Sequence, residues 1–124
     1  MDKCCIGKCG EDIAVKYLKK KGYKILTRNF RYKHKEIDII CVKDKCLIFV
    51  EVKTRTSKKY GMGIEAVDNK KILNLYSAAE WFITAKNIRK YNSRFDVINI
   101  YINYEKNYIK HYIDVIKEKP YKNS

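Results

Sequence analysis

Apolar positions recur along this chain first at helical spacing and then at strand spacing. From Glu11 to Lys21, Ile13, Ala14, Tyr17 and Leu18 fall on one helical face with lysines on the other, and Gly22 is placed as a stop. Tyr23 to Phe30 is rich in Tyr, Ile, Leu, Thr and Phe and predicts a strand, followed by a polar, basic connection from Arg31 to Lys35. The apolar runs Glu36 to Lys43 and Cys46 to Thr54 flank Asp44 and Lys45, which a β-hairpin explains most simply. After Thr54 the stretch Arg-Thr-Ser-Lys-Lys-Tyr-Gly-Met-Gly predicts a mobile basic loop, the kind of segment that touches ligand. Val67 to Lys86 carries Val67, Ile72, Leu75, Ala79, Phe82 and Ile83 at helical intervals, a long amphipathic helix fit to cover one face of a sheet. Ser93 to Ile102 and Tyr108 to Ile116 read as closing strands around a polar turn from Asn103 to Asn107. The tail after about residue 117, with the lone Pro120, is expected to fray. The order α-β-β-β-α-β-β predicts an α/β protein, a mixed central sheet flanked by helices. Residues 1–124 are expected to form a single domain, because so short a chain can fill only one core.

Charge changes the picture more than composition does. Apolar residues make up 46% and charged residues 34%, a globular balance, yet 28 Lys and Arg against 14 Asp and Glu leave a formal net charge of +14. Such an excess attracts polyanions through counterion release, so nucleic acid is the expected partner, ahead of a merely solubilising surface. No run of about 18 apolar residues exists and the first ten residues lack an apolar stretch, so neither a membrane span nor a signal peptide is expected, and the cytoplasm is. The 5 Cys are odd in number; Cys4, Cys5 and Cys9 lack the paired spacing of a zinc site, and reduced thiols are expected. The Gly7-Lys8-Cys9-Gly10 segment lacks the spacing of a phosphate loop, and no strand precedes it.

The acidic residues are few, and four groups of interest sit inside apolar strand runs. Side chains alternate faces along a strand, so Glu36 and Asp38 share one face, and so do Glu51 and Lys53. A hairpin turning at Asp44 and Lys45 sets Asp38 opposite Glu51 and Glu36 opposite Lys53. Directly opposed residues have Cβ atoms about 4.5–5.5 Å apart, and like charges there repel unless something neutralises them. A hard divalent cation, Mg²⁺ or Mn²⁺, does so with two carboxylates, water and a substrate phosphate. Lys53 beside it could orient an attacking water or shield the scissile phosphate. The bland alternative is a Glu36 to Lys53 surface ion pair, with Asp38 and Glu51 solvated on a half-exposed hairpin. A lone D-x(n)-E-x-K pattern does not decide between the two.

A wider set of residues does more. Gly10-Glu11 opening a helix, Leu18 to Gly22-Tyr23, Leu26 to Asn29-Phe30-Arg31, Glu36-Ile37-Asp38-Ile39-Ile40 and Phe49-Val50-Glu51-Val52-Lys53-Thr54-Arg55 occur in that order. Ala66-Val67 to Lys70-Lys71 and Arg94-Phe95-Asp96-Val97 follow. Together they resemble the YraN family, small bacterial proteins similar to archaeal Holliday-junction resolvases and to nucleases of the PD-(D/E)XK type. The resemblance implies a restriction-endonuclease-like fold. It implies Asp38, Glu51 and the Val52 backbone carbonyl as metal ligands, Lys53 as a catalytic position, and Glu11 as an additional acidic position. Glu36 belongs to the family's E-I-D pattern as an accessory position. One departure stands out: Lys35 occupies the place where a Gly usually precedes that Glu. By the same resemblance the substrate would be branched or otherwise structured DNA, and a homodimer would cut two strands.

Other residues admit two explanations. Glu11 could equally complement a helix dipole near an N-terminus. Arg55, Lys58, Lys59, Lys70 and Lys71 flank the proposed site in sequence and could bind phosphates, Arg55 foremost, although solvation of each alone is commoner. His34 and His111 are isolated, and Trp81 has packing as its default role. The function expected is metal-dependent hydrolysis of a phosphodiester; the alternative is a catalytically silent nucleic-acid-binding module with the same fold.

Overall fold

The computed structural model describes residues 3–55, 69–102 and 106–116, with side chains at 3–7 and 69–72 left aside. Helix α1 spans Lys3–Lys20, strands β1, β2 and β3 span Lys24–Tyr32, Lys35–Lys43 and Cys46–Arg55, helix α2 spans Asn69–Lys86, and strands β4 and β5 span Asn92–Tyr101 and Tyr108–Tyr112. The sheet has five strands in the order β1-β2-β3-β4-β5. All neighbours are antiparallel except β3 and β4, which are parallel and are joined through α2. A parallel pair requires a crossover, and α2 is that crossover. This is the mixed sheet flanked by helices that the element order predicts.

Helix ends follow local chemistry. Gly22, at φ 91°, closes α1: Tyr23 N–H donates to Leu18 C=O at 2.9 Å and Gly22 N–H to Lys19 C=O at 3.1 Å, the two hydrogen bonds of a Schellman cap. Asn87, at φ 54°, closes α2 the same way, with Ile88 N–H reaching Ile83 C=O at 3.1 Å. Asp44 and Lys45 both have positive φ, 50° and 62°, which makes the β2–β3 turn a two-residue connection matched to the twist of its strands.

The start of α1 departs from expectation, since it lies at Lys3 rather than Glu11. Gly10 sits mid-helix for a packing reason: a Cβ there would run into Thr54 of β3, so the glycine lets α1 approach the sheet closely. Glu11 therefore stands inside the helix, and the dipole explanation for it falls away. Strand β5 also ends earlier than expected, because Asp114 turns the chain at φ 58° and its N–H is taken by Asp96 at 2.9 Å. The basic loop after Arg55 and the tail from residue 117 lie outside the described residues.

Each helix covers one face. Ala14, Leu18 and Tyr23 pack on Ile39, Cys41, Ile48, Val50, Ile98 and Ile100. Leu75, Ala78, Ala79 and Phe82 pack on Ile37, Ile40, Leu47, Phe49 and Phe95. Strand β3 feeds both layers, which is why it reads as a continuous apolar run rather than an alternating one. Truncating a fully buried residue such as Ile48 to Ala should cost about 2–5 kcal/mol.

Candidate functional site

The register of the β2–β3 hairpin is the one its turn dictates, from Lys43↔Cys46 to Ile39↔Val50. There the ladder ends, while β3 continues beside β4 to Arg55↔Tyr101. Directly past the last pair, Asp38 Oδ2 accepts the Val52 N–H at 2.8 Å. The carboxylate thus takes a donor that the departing β2 backbone no longer meets. The N–H and C=O of one extended residue point to the same side of its strand, so the Val52 carbonyl faces the same gap.

The cause of the divergence lies in β1. Its pairing with β2 passes from Arg28↔Ile39 to Phe30↔Ile37, and the residue between on β1, Asn29, has φ 53°. A left-handed residue breaks the alternation of a strand. Accordingly Arg28 turns to α1, where it meets Asp12 at 2.8 Å, while Phe30 packs edge-on against Phe82 of α2. The partner strand changes faces in step, with Ile39 in the α1 layer and Ile37 in the α2 layer. Asp38 is the residue between them.

Its surroundings are acidic. Burial, then the charge of Glu51, and to a smaller degree those of Glu11 and Glu36, push the Asp38 carboxyl up to about 7, against the opposing pull of the Val52 N–H bond. Glu51 and Lys53 share the α2 side, where with Ile37, Phe49 and Phe95 they line a small cavity of about 20 Å³. Asp38 and Glu51 therefore come together as expected, with Lys53 and Arg55 further along β3, both half-buried. Glu11 reaches the cluster from α1 and lies 3.7 Å from Arg28. Glu36 is different: its ion pair is with Arg31, its neighbour on β1, at 3.0 Å, and the pairing with Lys53 expected from an unbroken hairpin is absent from the register. The kink at Asp38 rotates Glu36 out of line. Lys58 and Lys59 fall outside the described residues, and Lys70 and Lys71 lie at the start of α2 with side chains undescribed.

Two carboxylates and a backbone carbonyl suit a hard cation that keeps several waters. Among the described residues no group of three or more His, Cys, Asp and Glu side chains could hold a metal by itself. Asn99, in register with Lys53 on the neighbouring strand, is 4% exposed, and its Oδ1 has no hydrogen-bond partner. The donor set fits a partly hydrated Mg²⁺ or Mn²⁺.

Two features escape the sequence. The first is a basic stripe: Lys8, Lys16, Lys19 and Arg28 line an open groove of about 580 Å³ along α1 and β1, with Asp12 among them. The spacing of the three lysines along a helix would have shown it. The second is a network around Asp96, which is 1% exposed. It accepts from Arg94 Nε at 3.0 Å, His111 Nε2 at 2.8 Å and Asp114 N–H at 2.9 Å. His111 Nδ1 lies 3.0 Å from the Tyr17 hydroxyl, and Arg94 donates to Tyr23 at 3.1 Å. Burial alone would raise the Asp96 carboxyl, but His111, Arg94 and the Asp114 N–H outweigh it and hold it below the usual range.

The fold and site define an α/β protein with paired carboxylates and a lysine at the point where two central strands part. The sequence profile of the uncharacterised protein family UPF0102 matches residues 10–100, and the chain belongs to that family, the YraN family. A UPF0102 protein of Caldanaerobacter subterraneus is 46% identical over 106 residues, covering 86% of this chain and 87% of the relative. One from Clostridium acetobutylicum is 46% identical over 99 residues, covering 80% and 81%. One from Fusobacterium nucleatum is 44% identical over 108, covering 87% and 90%. Among solved structures, SfsA of Pyrococcus furiosus in complex with Ca²⁺ is similar at a TM-score of 0.42 and 17% identity; the match covers 89% of this chain and 62% of that one. Among the described residues no helix is long and apolar enough to cross a membrane.

Proposed function

We propose that this chain is a metal-dependent endonuclease-like hydrolase of the PD-(D/E)XK type that binds nucleic acid and cleaves its phosphodiester bonds. The observation that carries the reading is the convergence of Asp38 and Glu51 beside Lys53, where β2 and β3 separate. Asp38, Glu51 and the Val52 carbonyl would hold Mg²⁺ or Mn²⁺. When bound, the cation lowers the pKa of water and offsets charge on the phosphate. Lys53 orients the attacking water or steadies the scissile phosphate, since its position on β3 sets its ammonium stem beside Glu51. Glu11 adds negative charge from α1. The groove lysines Lys8, Lys16 and Lys19, with Arg55, Lys58, Lys59, Lys70 and Lys71, supply phosphate contacts, in keeping with the net charge of +14. DNA, structured or branched, is the substrate on this reading, the cytoplasm is where it acts, and a homodimer would present two such sites.

Incubating the purified protein with branched, nicked, single-stranded and duplex DNA plus Mn²⁺ tests the reading. Cleavage that disappears in Asp38→Ala and in Lys53→Ala is expected; cleavage surviving both would refute the site. One observation favours a second reading, a silent binding module: no three-ligand metal group exists among the described side chains. Calorimetry separates the two, because a silent module would bind DNA in a salt-sensitive way while showing no millimolar affinity for Mn²⁺.

A further inference from the structure

Far from the acidic cluster in chemistry but on the same side of the sheet lies an exposed aromatic pair. Trp81 of α2 is 48% exposed. It stacks on Tyr32 at the end of β1, with ring centroids 5.0 Å apart and planes 19° from parallel. Tyr32 is half-buried against the α2 layer that also holds Ile37 and Phe82, so the stack is anchored from below. Two lysine ammonium groups, those of Lys33 and Lys35, stand 5.3 Å and 5.6 Å from the Tyr32 ring. Lys33 is held there by the turn it forms, at φ 58°, between β1 and β2.

A half-exposed indole, braced from behind by a second ring that carries two cations, is a platform for a planar ligand on an anionic chain. Stacking needs only a π face, so any base serves, but the base must be unpaired to offer that face. The lysines at the Tyr32 ring supply positive charge for the neighbouring phosphates. The position also matters. Lys35 precedes Asp38 by three residues on β2, about 10 Å at strand rise, which puts the basic side of the platform and the acidic site on one strand.

We infer that Trp81, backed by Tyr32 with Lys33 and Lys35 at that second ring, is a stacking site for an unpaired nucleobase, so that the strand presented to the Asp38 and Glu51 site is one whose bases are locally open. The inference rests on the nucleic-acid reading above and gives it a substrate class: single-stranded, flapped or branched nucleic acid rather than continuous duplex.

Trp81 is the only tryptophan of the chain, so its emission reports on this site alone. The experiment uses the full chain carrying Asp38→Asn, in EDTA, so that binding is read without cleavage. Single-stranded oligo(dT) should quench Trp81 emission at saturation, and a duplex of equal length should leave it largely unchanged. By anisotropy of the labelled strand, Trp81→Ala should bind roughly tenfold more weakly, with Trp81→Phe close to the parent. Unchanged emission at saturating oligo(dT), equal affinity in Trp81→Ala, or equal quenching by duplex would each overturn the inference. So would an emission shift driven by protein concentration alone, which would mean that a second copy of the chain covers the platform. Failure here leaves cleavage by the acidic site untouched, and an inactive acidic site leaves this binding untouched, so the two are separable.

Discussion

Asp38 and Asp96 are the same residue type on the same sheet, two strands apart, and their surroundings drive them in opposite directions. Asp96 is surrounded by His111, Arg94 and the Asp114 N–H, which outweigh its burial and hold its carboxyl below the usual range. Asp38 has one N–H, from Val52, and otherwise faces Glu51, Glu11 and Glu36, which with burial push it up to about 7. A saturated carboxylate ties elements together: Asp96 joins β4 to β5 and, through His111 and Tyr17, to α1. A carboxylate held among others stores repulsion that a cation can relieve, which is the arrangement expected of a working site rather than of a brace.

The widest separation between the two should appear in activity. Asp38→Ala or Lys53→Ala is expected to lower Mn²⁺-dependent cleavage by about 10²–10³-fold or more with the fold retained, measured by single-turnover assay and circular dichroism. Asp96→Ala should do the reverse. Leaving the buried His111 and the half-buried Arg94 guanidinium without their carboxylate should cost about 3–5 kcal/mol in denaturant unfolding, with cleavage per folded molecule unchanged.

pH should divide them as well. The raised Asp38 carboxyl contributes stability that is complete below its unfolded value of 3.8 and lost as pH rises through about 7. The lowered Asp96 carboxyl contributes stability present above 3.8 and lost on acidification below it. Asp38→Asn keeps an acceptor for Val52 and removes the repulsion, so it should be about 1–2 kcal/mol more stable than the parent at pH 8, with a flatter profile between pH 4 and 7. Over the same range the parent's cleavage should rise as Asp38 ionises, because a protonated carboxyl does not hold a cation. The smallest effect belongs to Glu36→Gln. Its exposed pair with Arg31 is worth under about 1 kcal/mol, and losing its charge should move the pH midpoint of cleavage slightly downward.

The parts legible in the sequence are those fixed by local rules. Apolar spacing marked both helices and all five strands, Gly22 marked the end of α1, and Asp44-Lys45 fixed a register that carried Asp38 toward Glu51. The N-terminal half of α1 was not legible, because Gly7, Gly10 and clustered cysteines look like loop until Thr54 supplies the reason for a glycine. Glu36 was placed opposite Lys53 by a rule that holds only in an unbroken ladder. The break comes from Asn29, on a different strand, whose backbone conformation no pattern in β2 reveals. Trp81 read as packing because its spacing borders the apolar face of α2, while its exposure depends on where β1 ends.

By itself, the order of residues determined the elements, the hairpin turn, the excess of positive charge and the family, since each depends on neighbours in the chain or on composition. Only the tertiary structure decided which carboxylate is neutralised and which is not. Ionisation equilibria respond to burial and to charges a few ångströms away, and His111 lies 15 residues from Asp96 while Val52 lies 14 from Asp38. Those distances in space are set by strand pairing and by one left-handed residue, not by distance along the chain.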